Sequence, residues 1–133
     1  MSARIEIPSP PEFVPSWAWN EARQWQNLSD FDILIKAESI CSCSIELMYK
    51  SLTPNLWGFN LKRGGKARII INALLSPRWR RFALFHEIYH LIHHPKSERF
   101  WSRTATPLSS FEYEADMFAW AAMWQEFEEA AHQ

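Results

Sequence analysis

Four of the five histidines in this 133-residue chain lie in one stretch, RRFALFHEIYHLIHHP, residues 80–95. Within it, His86-Glu87-Ile88-Tyr89-His90 places two imidazoles four residues apart, with a carboxylate directly after the first. On a helix that spacing puts both rings on one face, within reach of a single ion. Neutral imidazole suits Zn2+ and a tetrahedral shell. Glu87 can stand beside a water attacking a carbonyl and take its proton. The chemistry expected is metal-assisted hydrolysis. Histidines are also ordinary structural residues, but the context weighs against that here. Phe82, Leu84, Phe85, Ile88, Leu91 and Ile92 surround the motif. A buried helix carrying two histidines and a glutamate without partners would bear a large desolvation cost.

A catalytic zinc takes three protein ligands and keeps one open position. His93 and His94 share the face of His90, yet His93 lies seven residues past His86, about 10 Å along the axis. One ion does not readily join all three on a straight helix, so His93 and His94 are expected to end it, where histidine suits the negative dipole. The third ligand should then come from the last helix, which opens FEYEADMFAWAAM. Glu112, Glu114 and Asp116 are the candidates. Ser109-Ser110-Phe111-Glu112 fits a capping box, which gives Glu112 a different task. Glu114 shares a face with Phe111 and Phe118, where a carboxylate wants a partner. Asp116 is placed to hold a ligand histidine by its other ring nitrogen. The expected set is His86, His90 and Glu114 on the metal, Glu87 as base and Asp116 behind a histidine.

Several elements must position these groups. Residues 8–15, PSPPEFVP, carry four prolines and read as an extended arm. Helix signals follow in SWAWNEARQW and in SDFDILIKAESI, with Ser29 or Asp30 as cap. Ile45, Leu47 and Tyr49 alternate as in a half-buried strand. LWGFNLKRGGKARIIIN reads as a hairpin turning at Gly64-Gly65. That register sets Phe59 against Ile70 and Leu61 against Arg68. Apolar residues on both faces predict that the Arg68–Asn72 strand is covered on both sides. Ser76-Pro77 starts the motif helix, which stops before Pro95. SERFWSRTATPL reads as a loop. The result is an α+β domain, a short antiparallel β-sheet packed on the motif helix and a C-terminal helix. Residues 1–20 are expected as an extended arm rich in proline and tryptophan, and 21–133 as one domain.

Composition bounds the function. With 47% hydrophobic and 22% charged residues, disorder throughout is excluded. A formal net charge of −1 argues against a dedicated nucleic-acid binder. The basic clusters at Lys62, Arg63, Lys66 and Arg68, and at Arg78, Arg80 and Arg81, read as solvated faces. No apolar run is long enough to span a bilayer, and the first residues lack a signal-peptide core. Cys41 and Cys43, two apart, are expected unbridged, as small buried residues. The expected compartment is the cytoplasm.

IIINALLSPRWRRFALFHEIYHLI followed by EYEADMFAW resembles the ImmA/IrrE family of metallopeptidases. The likeness covers about residues 55–123 and both halves of the site. It implies a small zincin-like domain, His86, His90 and Glu114 as zinc ligands and Glu87 as general base. It also implies a partner class, since the family typically cleaves helix-turn-helix repressors of phages, mobile elements and stress regulons. Tyr89 stands where the family commonly has glycine, and Phe85 where it has a small residue. The usual leucine–proline ending is replaced by MWQEFEEAAHQ, and no fused helix-turn-helix segment is read.

Two functions follow as expectations. One is a zinc endopeptidase whose substrate strand adds to an exposed sheet edge, with Trp57–Leu61 as that edge. The other is a non-proteolytic interaction protein on the same fold, an anti-repressor or toxin–antitoxin component. Its docking surface would include Phe13, Trp17 and Trp19.

Overall fold

The computed structural model describes residues 7–93, the backbone of 99–105, and residues 113–131. The first helix, α1 (Ser16–Ala22), begins at the end of the proline-rich stretch. Its Ala18 and Ala22, one turn apart, are buried, and the helix lies on the C-terminal helix. A 3-10 turn, Arg23–Trp25, leads to α2 (Asp30–Cys41). Ser29 caps α2, its hydroxyl accepting from the Asp32 amide at 3.1 Å. Ile33, Ala37 and Cys41 recur every four residues on its buried face.

The helix ends at Ser42, which adopts a left-handed conformation at φ 53°. That turn folds the chain back, so that Cys41 and Cys43 stand with Cα atoms 5.4 Å apart and are joined by a disulfide. This corrects the expectation of two unbridged cysteines. A spacing of two is normally too extended for a bridge, and the left-handed residue between them removes that obstacle. Among the described residues no helix is long and apolar enough to cross a membrane.

Four strands follow: β1 (Ser44–Lys50), β2 (Leu56–Arg63), β3 (Lys66–Asn72) and β4 (Arg99–Ala105). The β2–β3 hairpin has the expected register, with Phe59 opposite Ile70 and Leu61 opposite Arg68. Gly64 takes φ 61° at its turn, a conformation that costs glycine nothing. The spatial order is β1-β3-β2-β4.

Two sequence expectations change here. β1 pairs parallel with β3, so the sheet is mixed and not purely antiparallel. Placing β3 inside the sheet buries Ile69, Ile70 and Ile71 together, which a simple meander with β3 at the edge would not do. The segment read as a loop contains β4, paired antiparallel to β2. Its RFWSRTA sequence has aromatic and β-branched residues among its charges, a composition compatible with a strand beside a partner. β2 is therefore an interior strand. The edges are β1 and β4, and the Trp57–Leu61 edge proposed for a substrate strand is already occupied.

The two site-bearing helices are α3 (Pro77–Ile92) and α4 (Tyr113–Ala131). Ser76 precedes α3 in an extended conformation and Pro77 opens it, as the sequence predicts. The helix ends at Ile92 with His93 as C-cap. Every residue from Phe82 to Leu91 is buried, because α3 lies between the sheet and α4 and also meets α2. α4 is buried from Ala115 to Met123. The two helices run antiparallel. Phe82 packs on Trp120 with centroids 5.1 Å apart, and Phe85 on Phe118 at 6.1 Å. Trp79 extends the seam to Phe127 at 5.0 Å. Arg81 ties three elements by bonding Asp30 at 2.6 Å, Glu126 at 3.0 Å and the Leu28 carbonyl at 3.0 Å. The proposed capping box at 109–112 lies outside the described residues.

Asn72 closes the end of β3 next to the start of α3. Its Oδ1 accepts from the Leu52 and Leu74 amides at 3.2 and 3.0 Å. Its Nδ2 donates to the Thr53 and Leu56 carbonyls at 3.1 and 2.9 Å. One fully buried amide thus fastens the 51–55 crossover. Asn72→Ala is expected to lower stability by about 3 kcal/mol, since it leaves several buried backbone groups unpaired. Urea unfolding measures it, and a loss below about 1 kcal/mol would mean that solvent replaces the side chain.

Candidate metal and hydrolytic site

α3 turns His86, Glu87 and His90 into the interior, where His86 and Glu87 are fully buried and His90 is 7% exposed. The two Nε2 atoms converge to 3.3 Å. Two nitrogens each roughly 2.05 Å from one tetrahedral zinc stand about 3.3 Å apart. The pair therefore already has the spacing that such an ion imposes.

The tautomer of His86 is fixed from behind. Its Nδ1 faces Asp116 Oδ1 at 2.8 Å, and Asp116 is 5% exposed. A carboxylate accepts, so Nδ1 carries the proton and Nε2 presents its lone pair to the shared point. Asp116 is thus the partner of the ring nitrogen of His86 that faces away from His90.

Glu87 points the other way, toward the sheet. Asn60, fully buried on β2, donates its side-chain Nδ2 to Glu87 Oε2. Sequence reading did not single out Asn60. Its signal was a polar residue on the inward-facing register of β2, which it shares with Gly58 and Lys62.

Glu114 does not join the histidines. It is exposed, and its Oε2 accepts from the Tyr89 hydroxyl at 3.0 Å. Burial, followed by the bond to Glu114, pushes the Tyr89 phenol well above its usual pKa, so it stays a donor. Its ring is packed against His93 at 4.1 Å and Phe118 at 5.4 Å. The position where the family pattern commonly has glycine thus holds a phenol that occupies Glu114. His93 itself pairs with Glu21 of α1 at the helix end. Among the described residues no group of three or more His, Cys, Asp or Glu side chains lies close enough to hold an ion. Glu112, the third carboxylate named from the sequence, lies outside them, as does His94.

The helix pairing carries information about that third position. Phe82 meets Trp120, and one turn later His86 meets Asp116. Phe85 meets Phe118, and one turn later Tyr89 meets Glu114. Each step of four forward on α3 is a step of four back on α4. Asp116 faces the histidines, and Glu114, two residues away, is rotated well off that line.

A family model for the IrrE N-terminal-like domain, a peptidase family, matches residues 40–132. The match takes in all four strands and both site helices. No curated protein and no solved structure shows significant similarity to the chain.

Proposed function

The chain belongs to the IrrE N-terminal-like peptidase family, and from that premise we propose that it is a zinc-dependent endopeptidase acting on a protein partner. The observation that carries this reading is the pair of Nε2 atoms 3.3 Å apart, one of them backed by Asp116.

His86 and His90 would hold the metal. Zinc, when bound, supplies a Lewis acid that polarises the scissile carbonyl and acidifies a water. Glu87 would take the proton of the attacking water and return it to the leaving amine. Asn60 holds the Glu87 carboxylate by one oxygen and so fixes the direction of the other. Asp116 keeps His86 in the tautomer with its lone pair toward the metal.

For the third ligand we propose Glu112 in place of Glu114. Glu112 stands four residues before Asp116, the spacing that puts two side chains on one helix face. Glu114 is already engaged by Tyr89. Glu112→Ala is therefore expected to weaken zinc binding by at least tenfold, and Glu114→Ala to change it by less than threefold. Competition with a chromophoric chelator reads both. The reverse order would return the ligand role to Glu114.

The substrate class we propose is a helix-turn-helix repressor of a phage, mobile element or stress regulon. It rests on the sequence resemblance, and the proposed site of action is the cytoplasm. The test is incubation of the zinc-loaded protein with candidate repressors, with and without a chelator, followed by mass analysis of the fragments. Zinc-dependent cuts at one position support the reading. Tight binding without cutting would favour the non-proteolytic interaction protein.

A further inference from the structure

The face of the sheet turned away from α3 holds a groove of 460 Å³ lined by Glu46, Leu61, Arg63, Lys66, Ala67 and Arg68. Strand alternation sorts its residues sharply. Asn60 and Lys62 on β2 turn inward and are buried, whereas Leu61 is 47% exposed and Arg63 is exposed beside it. On β3, Lys66 and Arg68 are exposed and Ala67 is not. Hydrogen-bonded strands flank Leu61 on both sides, so the floor is rigid. Arg68 leans on Glu46 at 3.4 Å, with both side chains more than half exposed, a pair too solvated to hold much energy. The pairing of β2 with β4 also brings the backbone of Arg99 across from Arg63. A chain of net charge −1 thus gathers positive charge from separate strands around one exposed leucine.

We propose that this groove is a docking site for an acidic protein segment carrying an apolar side chain, the apolar group on Leu61 and carboxylates on Arg63, Lys66 and Arg68. A single-stranded nucleic acid fits less well. Among the described side chains that line the groove none is aromatic to stack a base. Arginine forks match carboxylates as well as phosphates, and Leu61 between them offers an apolar contact but no ring to a base. Leu61 adjoins Asn60, which reaches Glu87 from the opposite face of the same strand. A partner docked here leaves the histidine side of the molecule open. The groove deepens the peptidase reading, and rests on it only in making the docked partner a substrate.

The test uses the full chain and a fluorescein-labelled peptide of alternating glutamate and leucine, with a labelled single-stranded oligonucleotide as comparison. Anisotropy titrations are made at low and at moderate salt. The peptide is expected to bind better than the oligonucleotide and to weaken as salt rises. Arg63→Glu combined with Lys66→Glu is expected to weaken peptide binding by tenfold or more. Leu61→Ser should weaken it separately, and zinc content should stay as in the wild type in both. Absence of peptide binding, peptide binding that ignores the charge reversal, or tighter binding of the oligonucleotide would overturn the proposal. Since zinc is measured alongside, an empty metal site with intact peptide binding would defeat the peptidase reading and leave the groove standing.

Discussion

Glu87→Gln is expected to keep the fold and the zinc and to lose cleavage by about a hundred- to ten-thousand-fold, the usual contribution of a positioned general base. The substitution is nearly isosteric, and a glutamine oxygen can still accept from Asn60. What it loses is the ability to take a proton. A carboxylate buried beside two histidines is costly to maintain, and in this reading the chemistry accounts for it. Fragments followed over time, with metal content and melting temperature measured on the same samples, check the outcome. Cleavage at the wild-type rate would remove Glu87 from the mechanism. Loss of zinc alongside activity would mean that the carboxylate holds the site together and does not act as a base.

The second large effect concerns Asp116. Its carboxylate sets the tautomer and orientation of His86 at 2.8 Å. Partners of this kind are typically worth about ten- to a hundredfold in metal affinity. Asp116→Ala is expected to weaken zinc by that amount, and His86→Ala to leave less than stoichiometric metal after gentle purification. Asp116→Asn should fall between the wild type and Asp116→Ala, because an amide oxygen still accepts from Nδ1 but carries no charge. A chelator competition measures all three. If Asp116→Ala binds zinc as the wild type does, the histidine is oriented by packing alone, and the bond at its back is incidental. If His86→Ala retains a full equivalent, the pair does not bind the ion.

The proposed endopeptidase also changes how its substrate strand must arrive. With β2 enclosed by β3 and β4, an incoming extended segment can pair only with β1 or β4. Of these, β4 adjoins the strand that carries Asn60, and so lies nearer to Glu87.

The local features of this chain were determined by its sequence. The two histidines share a face because a helix repeats every 3.6 residues. The hairpin register followed from a two-residue glycine turn and strand alternation. Ser29 and Ser76-Pro77 marked helix starts by their own backbone chemistry. Each of these depends on residues a few positions apart, where spacing is almost the whole of geometry. The tertiary structure alone decided the features that join distant segments. β1 runs parallel to β3 because three buried isoleucines are better covered from both sides. Residues 99–105 form a strand beside β2, a pairing between segments far apart in the chain that local composition does not reveal. Asn60 reaches Glu87 across 27 residues, and Tyr89 reaches Glu114 across 25. FEYEAD by itself marks Glu114 as the carboxylate on an apolar face. That Tyr89 engages it arises only when α4 is laid antiparallel on α3 and Asp116 meets His86, because one fixed contact sets the rotation of the other described side chains on a rigid helix.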